Sequence, residues 1–142
     1  MSTIEIKRVD DAYAFEARDA NGHSLRMDAA EATGGHNSGF RPMQSLLAGL
    51  GGCSAVDIVS ILKKQKQEVK DISMVINGER ETGKEPALWK YVQIHFTFTG
   101  QVDKEKAEKA CALSIDKYCS VAATLRAAGC VIEWQVTVEP NP

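Results

Sequence analysis

Cys53 and Cys119 are the side chains in this sequence best suited to covalent chemistry. Cys53 lies in the apolar run GLGGCSAV, where a thiol would be shielded from bulk water yet able to face a pocket. Cys119 opens an expected short helix in KYCSVAATL, and unpaired backbone N–H groups at a helix start stabilise a thiolate and lower its pKa. Lys117 is close enough in sequence to add to that effect. Taken singly, each thiol also fits the description of an inert core cysteine. As a pair they have the two parts of a thiol peroxidase, one thiolate to attack the peroxide oxygen and a second thiol to resolve the sulfenic acid. Such a pair must bring its Cα atoms within about 7 Å of each other before a disulfide can close. Cys111 falls on the apolar face of its helix and Cys130 enters a strand, so both read as packing residues.

Asp57 follows Cys53 by one helical turn, on the same face, where its charge opposes thiolate formation unless a cation neutralises it. Arg41, immediately before the helix, and Arg18 or Arg26 near the N-terminus are the available guanidinium groups, and arginine has the planar fork that a carboxylate and a thiolate can share. Each of these arginines, taken alone, equally suits a solvated surface. The glycines of GLGGCS sit inside a helix rather than after a strand, which excludes a nucleotide loop. GxSxG, HExxH and P-loop lysine patterns are absent. His36, in a glycine-rich loop, reads as a solvated turn residue. No CxxC occurs, and His23, His36 and His95 are not spaced as ligand pairs, so metal binding is disfavoured.

The 142 residues fit one domain, 1–142. A net charge of −2 and a pI near 5.9 give no basic footprint for nucleic acid or anionic lipid. The N-terminus lacks the pattern of a signal peptide, and four cysteines are too few for a disulfide scaffold, so a soluble cytoplasmic protein with free thiols is expected. The apolar stretch from Leu46 to Leu62 is interrupted by Ser54, Asp57 and Ser60 and reads as a core segment rather than a membrane span.

The elements that must position the thiols form an α+β pattern. Residues Thr3 to Asp28 alternate as a three-stranded meander, with a turn at Asp10-Asp11 and a type I′ hairpin at Asn21-Gly22. TGGHNSG, 33–39, is expected as a mobile loop. Pro42 starts a helix running to Gln67, apolar on nearly every side and therefore expected to be buried all round. Gly49, Gly51 and Gly52 inside it predict close packing of another helix at that point. Two strands follow, with Ile72, Met74 and Ile76 alternating in the first and Val92, Ile94, Phe96 and Phe98 in the second. Asp103 caps a further helix, the chain breaks near Lys117-Tyr118, and a short helix ends at Gly129. The last strand carries Ile132, Trp134, Val136 and Val138 on one face.

GFRPMQSLLAGLGGCSAVDIVSILKK, 39–64, resembles the first-cysteine helix of the OsmC/Ohr proteins, and KYCSVAATL, 117–125, resembles their second-cysteine segment. The order of elements also matches, so the resemblance spans nearly the whole chain and is closest to the YhfA-like branch. It implies an OsmC-like fold assembled as an intertwined homodimer, with central helices buried between subunits. It further implies oxidative stress defence: attack on an organic hydroperoxide by Cys53, resolution by Cys119 as an intramolecular disulfide, and reduction by lipoylated proteins or small dithiols, without metal or organic cofactor. In the family's hydroperoxide resistance members a glutamate follows the helix-initiating proline and helps hold a catalytic arginine. Here Met43 occupies that place, with Gln44 next, neither able to pair as an anion, and Asp57 is the candidate replacement carboxylate. Two other readings stay open, a non-catalytic dimer of the same fold that binds a hydrophobic small molecule and a redox sensor built on the same cysteines.

Overall fold

A computed structural model of the chain describes residues 1–140, which form two compact units, residues 1–46 and residues 47 onward. The first unit holds an antiparallel meander of β1 (Glu5–Arg8), β2 (Phe15–Arg18) and β3 (Ser24–Met27), in that spatial order. Asp10 makes the first turn as expected, its carboxylate accepting the N–H groups of Ala12 and Ala14. The second turn is not type I′. Gly22 has positive φ but Asn21 does not, because the Asp19 carboxylate accepts the N–H groups of Asn21 and His23 and sets a wider turn.

The glycine-rich loop is organised around Asp28, whose carboxylate accepts the N–H groups of Ala29, His36 and Ser38 and the Ser38 hydroxyl. Donation from the Ser38 hydroxyl, more than any other contact, holds the Asp28 carboxyl far below the usual carboxylate range. Gly35 is required there, since a Cβ at that position would lie 2.2 Å from the Ala29 carbonyl oxygen.

The second unit is built on one sheet with the order β4 (Glu68–Arg80), β5 (Trp89–Gln101) and β6 (Val131–Glu139). The pair β4–β5 is antiparallel. β5 and β6 are parallel, which requires a crossover. That crossover is α2 (Lys104–Leu113), a single π-helical turn (Ser114–Tyr118) and α3 (Ser120–Ala127). Asp103 caps α2 through the Lys106 N–H, and Gly129 ends α3 in left-handed geometry. The alternation read in β5 gives Val92, Ile94, Phe96 and Phe98, all fully buried, and each such burial stabilises the fold by about 1.5–3 kcal/mol.

The long helix is α1 (Pro42–Lys64). It stops short of Gln67 because Lys66 takes a left-handed conformation, and the Lys66 and Gln67 N–H groups bond back to Lys63 and Leu62. Leu50, Ser54, Ile58 and Leu62 form its buried stripe, at i, i+4 spacing. The expectation of burial on every side does not hold within the chain, because Leu46, Val56 and Val59 are exposed. Gly51 packs against Ile76 and Met74 of a strand rather than against a helix, and the space beside Gly49 and Gly52 is open. With 23 residues α1 is long and apolar enough to cross a membrane, although its buried stripe belongs to the core of this unit.

Candidate thiol site

Three pieces of backbone bring the two cysteines together. Cys53 sits midway along α1, half-buried and one residue before the buried stripe position Ser54. The π-turn adds one residue to the end of α2, so that the Cys119 N–H reaches the Ser114 carbonyl at 2.7 Å. The chain then leaves helical geometry at Cys119 and starts again as α3, which makes Cys119 the N-cap. Its Sγ accepts the Ala122 N–H at 3.4 Å. The Val121 and Ser120 N–H groups and the Cys119 thiol are the donors that act on the Cys53 sulfur. Neither sulfur is in a disulfide.

The helix-start effect expected at Cys119 therefore acts on Cys53. The Val121 N–H is the largest influence on Cys53; with the Cys119 thiol and the Ser120 N–H it outweighs burial and the Asp57 charge, lowering the thiol pKa from its ordinary value. Cys119 moves the other way. Burial dominates there and pushes its thiol up, and the Ala122 N–H offsets this only in part. Lys117 does not assist, since its ammonium lies over the Tyr118 ring, 5.3 Å from the centroid. The result is an asymmetric pair, one thiol lowered by its donors and its neighbour raised by burial. Cys111, fully buried, is pushed up to about 12 by burial, with Glu108 adding to it, and Cys130 is also raised by burial.

Asp57 finds a hydroxyl rather than an arginine. The Ser114 Oγ lies 3.1 Å from Asp57 Oδ2 and 3.1 Å from the Ser54 carbonyl oxygen. Ser114 is completely buried. A serine in a row of alanine and cysteine is the one signal that could have drawn attention to it. The backbone donors on Cys53 leave no signature in residue type.

The sequence itself decides the relationship: residues 35–135 match the family described as OsmC-like protein. The chain belongs to the OsmC/Ohr family. Protein YhfA of Escherichia coli (strain K12) is 38% identical to it over 122 residues, covering 83% of this chain and 85% of YhfA. A solved structure of a hypothetical protein from Aquifex aeolicus VF5 has a TM-score of 0.80 at 33% identity, covering 98% of each chain. The organic hydroperoxide resistance protein OsmC from Legionella pneumophila shares the fold, with a TM-score of 0.71 at 20% identity over 95% of this chain and 96% of that one.

In this OsmC/Ohr chain the candidate arginines make contacts within the first unit. Arg41 donates to the Gly39 carbonyl and to Asn37 Oδ1, Arg18 pairs with Glu16, and Arg26 donates to Ser38 Oγ. Gln44 reaches Arg41 through the backbone, its Oε1 accepting the Arg41 N–H in the manner of a capping box. Arg41 also lines an apolar pocket of about 520 Å³ with Ile6, Tyr13, Phe15, Met27 and Pro42. Donor atoms of Asp10, Asp11 and His36 lie within 4.8 Å of one another at the surface of this unit, but Asp10 is already engaged by its own turn.

Proposed function

We propose that this OsmC/Ohr chain is a thiol peroxidase for organic hydroperoxides. The Cys53 thiolate attacks the terminal peroxide oxygen, the O–O bond breaks, and the products are an alcohol, once its alkoxide takes a proton, and a Cys53 sulfenic acid. The Cys119 thiol then condenses with that sulfenic acid, forming the disulfide and releasing water, and a dithiol or lipoylated protein restores both thiols. The observation that carries this reading is the asymmetric pair itself, a thiol lowered by the N–H groups of Ser120 and Val121 beside a second thiol raised by burial. Asp57 belongs to the proposed site as the charge that tunes Cys53. A reducing cytoplasm would keep such a pair as free thiols.

The assembly we assign to this function is a homodimer of single 1–142 domains. The exposed face of α1 with Leu46, Val56 and Val59 supports it, because a large apolar face on a helix otherwise meets water.

The test is to treat reduced protein with a small excess of cumene hydroperoxide or of hydrogen peroxide and map disulfides by mass spectrometry. Rapid Cys53–Cys119 closure with the organic peroxide, and turnover when dihydrolipoamide is supplied, is the expected result. Thiols left unchanged would overturn the reading. They would favour a binding protein that uses the Arg41 pocket for an apolar small molecule, and closure without turnover would favour a redox sensor.

A further inference from the structure

Ser114 touches both halves of the thiol site without touching either sulfur. Its side-chain oxygen is 3.1 Å from Asp57 Oδ2, and its carbonyl oxygen accepts the Cys119 N–H at 2.7 Å. It is fully buried, and its one hydroxyl proton is shared between Asp57 and the Ser54 carbonyl, also at 3.1 Å, so it is not left unpaired. The charge of Asp57 acts on Cys53 and raises its thiol. From α3, Cys53 faces the Ser120 and Val121 N–H groups and the Cys119 thiol. The remaining charged groups of the π-turn and α3 are engaged elsewhere, Arg126 with Asp116 and the Ile115 carbonyl and Lys117 over Tyr118.

We propose that Ser114 is a positioning residue that holds the Asp57 carboxylate away from the donors of Cys53 and so sets the reactivity of that thiol. An aspartate one turn along a helix from the cysteine can turn toward the same N–H groups that stabilise the thiolate. A hydroxyl donor from a neighbouring element fixes the carboxylate and takes up part of its charge. The same residue anchors the π-turn, so the orientation of Asp57 and the placement of Cys119 are set from one point. This inference assigns a role within the proposed thiol site, but its test reads thiol ionisation and not peroxide turnover.

The experiment is a double-mutant cycle read as the pH profile of Cys53 alkylation by iodoacetamide, followed by mass spectrometry on the reduced full-length protein. Ser114→Ala is expected to slow Cys53 alkylation at pH 7 by about threefold to tenfold and to move the profile to higher pH. Asp57→Asn is expected to speed it. In the Asp57→Asn background Ser114→Ala should have little further effect, since no charge remains to be held. A Ser114→Ala effect of equal size in both backgrounds would reduce Ser114 to a packing residue and overturn the proposal. If Ser114→Ala does not fold, Asp57→Asn decides alone, because an unchanged profile in that variant removes the charge on which the argument rests. Loss of peroxidase activity with the expected cycle intact would defeat the functional reading and leave this one standing.

Discussion

At the scale of single residues, Cys53 and Cys111 show how placement divides identical side chains. Cys53 meets the open N–H groups of α3 and is lowered, whereas Cys111 is buried, with the Glu108 charge adding to the effect, and is raised to about 12, from an ordinary value of 9.0. The raised thiol links stability to alkaline pH. In the fold Cys111 keeps its proton to about 12, while in the unfolded chain it loses it near 9, so its contribution is complete below the ordinary value. That contribution falls away as pH rises toward the folded one. Cys119 and Cys130, also raised, act in the same direction. Cys53 acts oppositely: its contribution is present above its ordinary value and disappears as pH falls through the lowered folded value. Urea unfolding at pH 8 and pH 10.5 should therefore show a loss of stability that is smaller in Cys111→Ala than in the native chain, by on the order of 1–2 kcal/mol. Equal losses would mean that Cys111 ionises as easily in the fold as out of it. The comparison is between two differences, so the cavity left by the substitution cancels.

Among the elements, α3 depends on Cys119 for its start. The thiol accepts the Ala122 N–H as an N-cap, a job serine does well and alanine cannot do. Reduced Cys119→Ser should match the native melting temperature closely, while Cys119→Ala should be less stable than Cys119→Ser by about 0.5–2 kcal/mol. Thermal unfolding followed by circular dichroism distinguishes the two, and equal stability would deny the cap. Elements were legible in the sequence wherever local rules decide them. The alternation of Val92 to Phe98, the proline at position 42, the Asp103 cap and the Gly129 stop each act within a few residues, and the fold follows them. Competition between side chains was harder to read. Asp19 outbid Asn21-Gly22 for control of a turn, and Lys66 ended α1 without a glycine. The π-turn had no local signal, because inserting one residue into a helix end is settled by what the displaced chain then touches. The pairing of the two thiols could be anticipated, but which of them the backbone favours could not, since Ser120 and Val121 act through N–H groups common to all residues.

For the whole molecule, α1 presents two unlike faces. Leu50, Ser54, Ile58 and Leu62 belong to the core, while Val56 and Val59 are exposed and Gly49 and Gly52 leave open space beside them. Val56→Asp should therefore abolish the proposed homodimer while the sheet and its buried stripe fold normally, an outcome measurable as molar mass by sedimentation together with an unchanged far-ultraviolet spectrum. A native chain that sediments as a monomer would dismiss the dimer. The two sulfurs, neighbours in space, are also distant in sequence, on elements separated by a hairpin and a complete helix. A covalent link between them would close a loop of roughly 65 residues and, on chain-entropy grounds, disfavour the unfolded ensemble by about 4 kcal/mol. Exposure to oxidant would then leave a more heat-resistant molecule than the one that met it, and the protein would be toughest while waiting for its reductant.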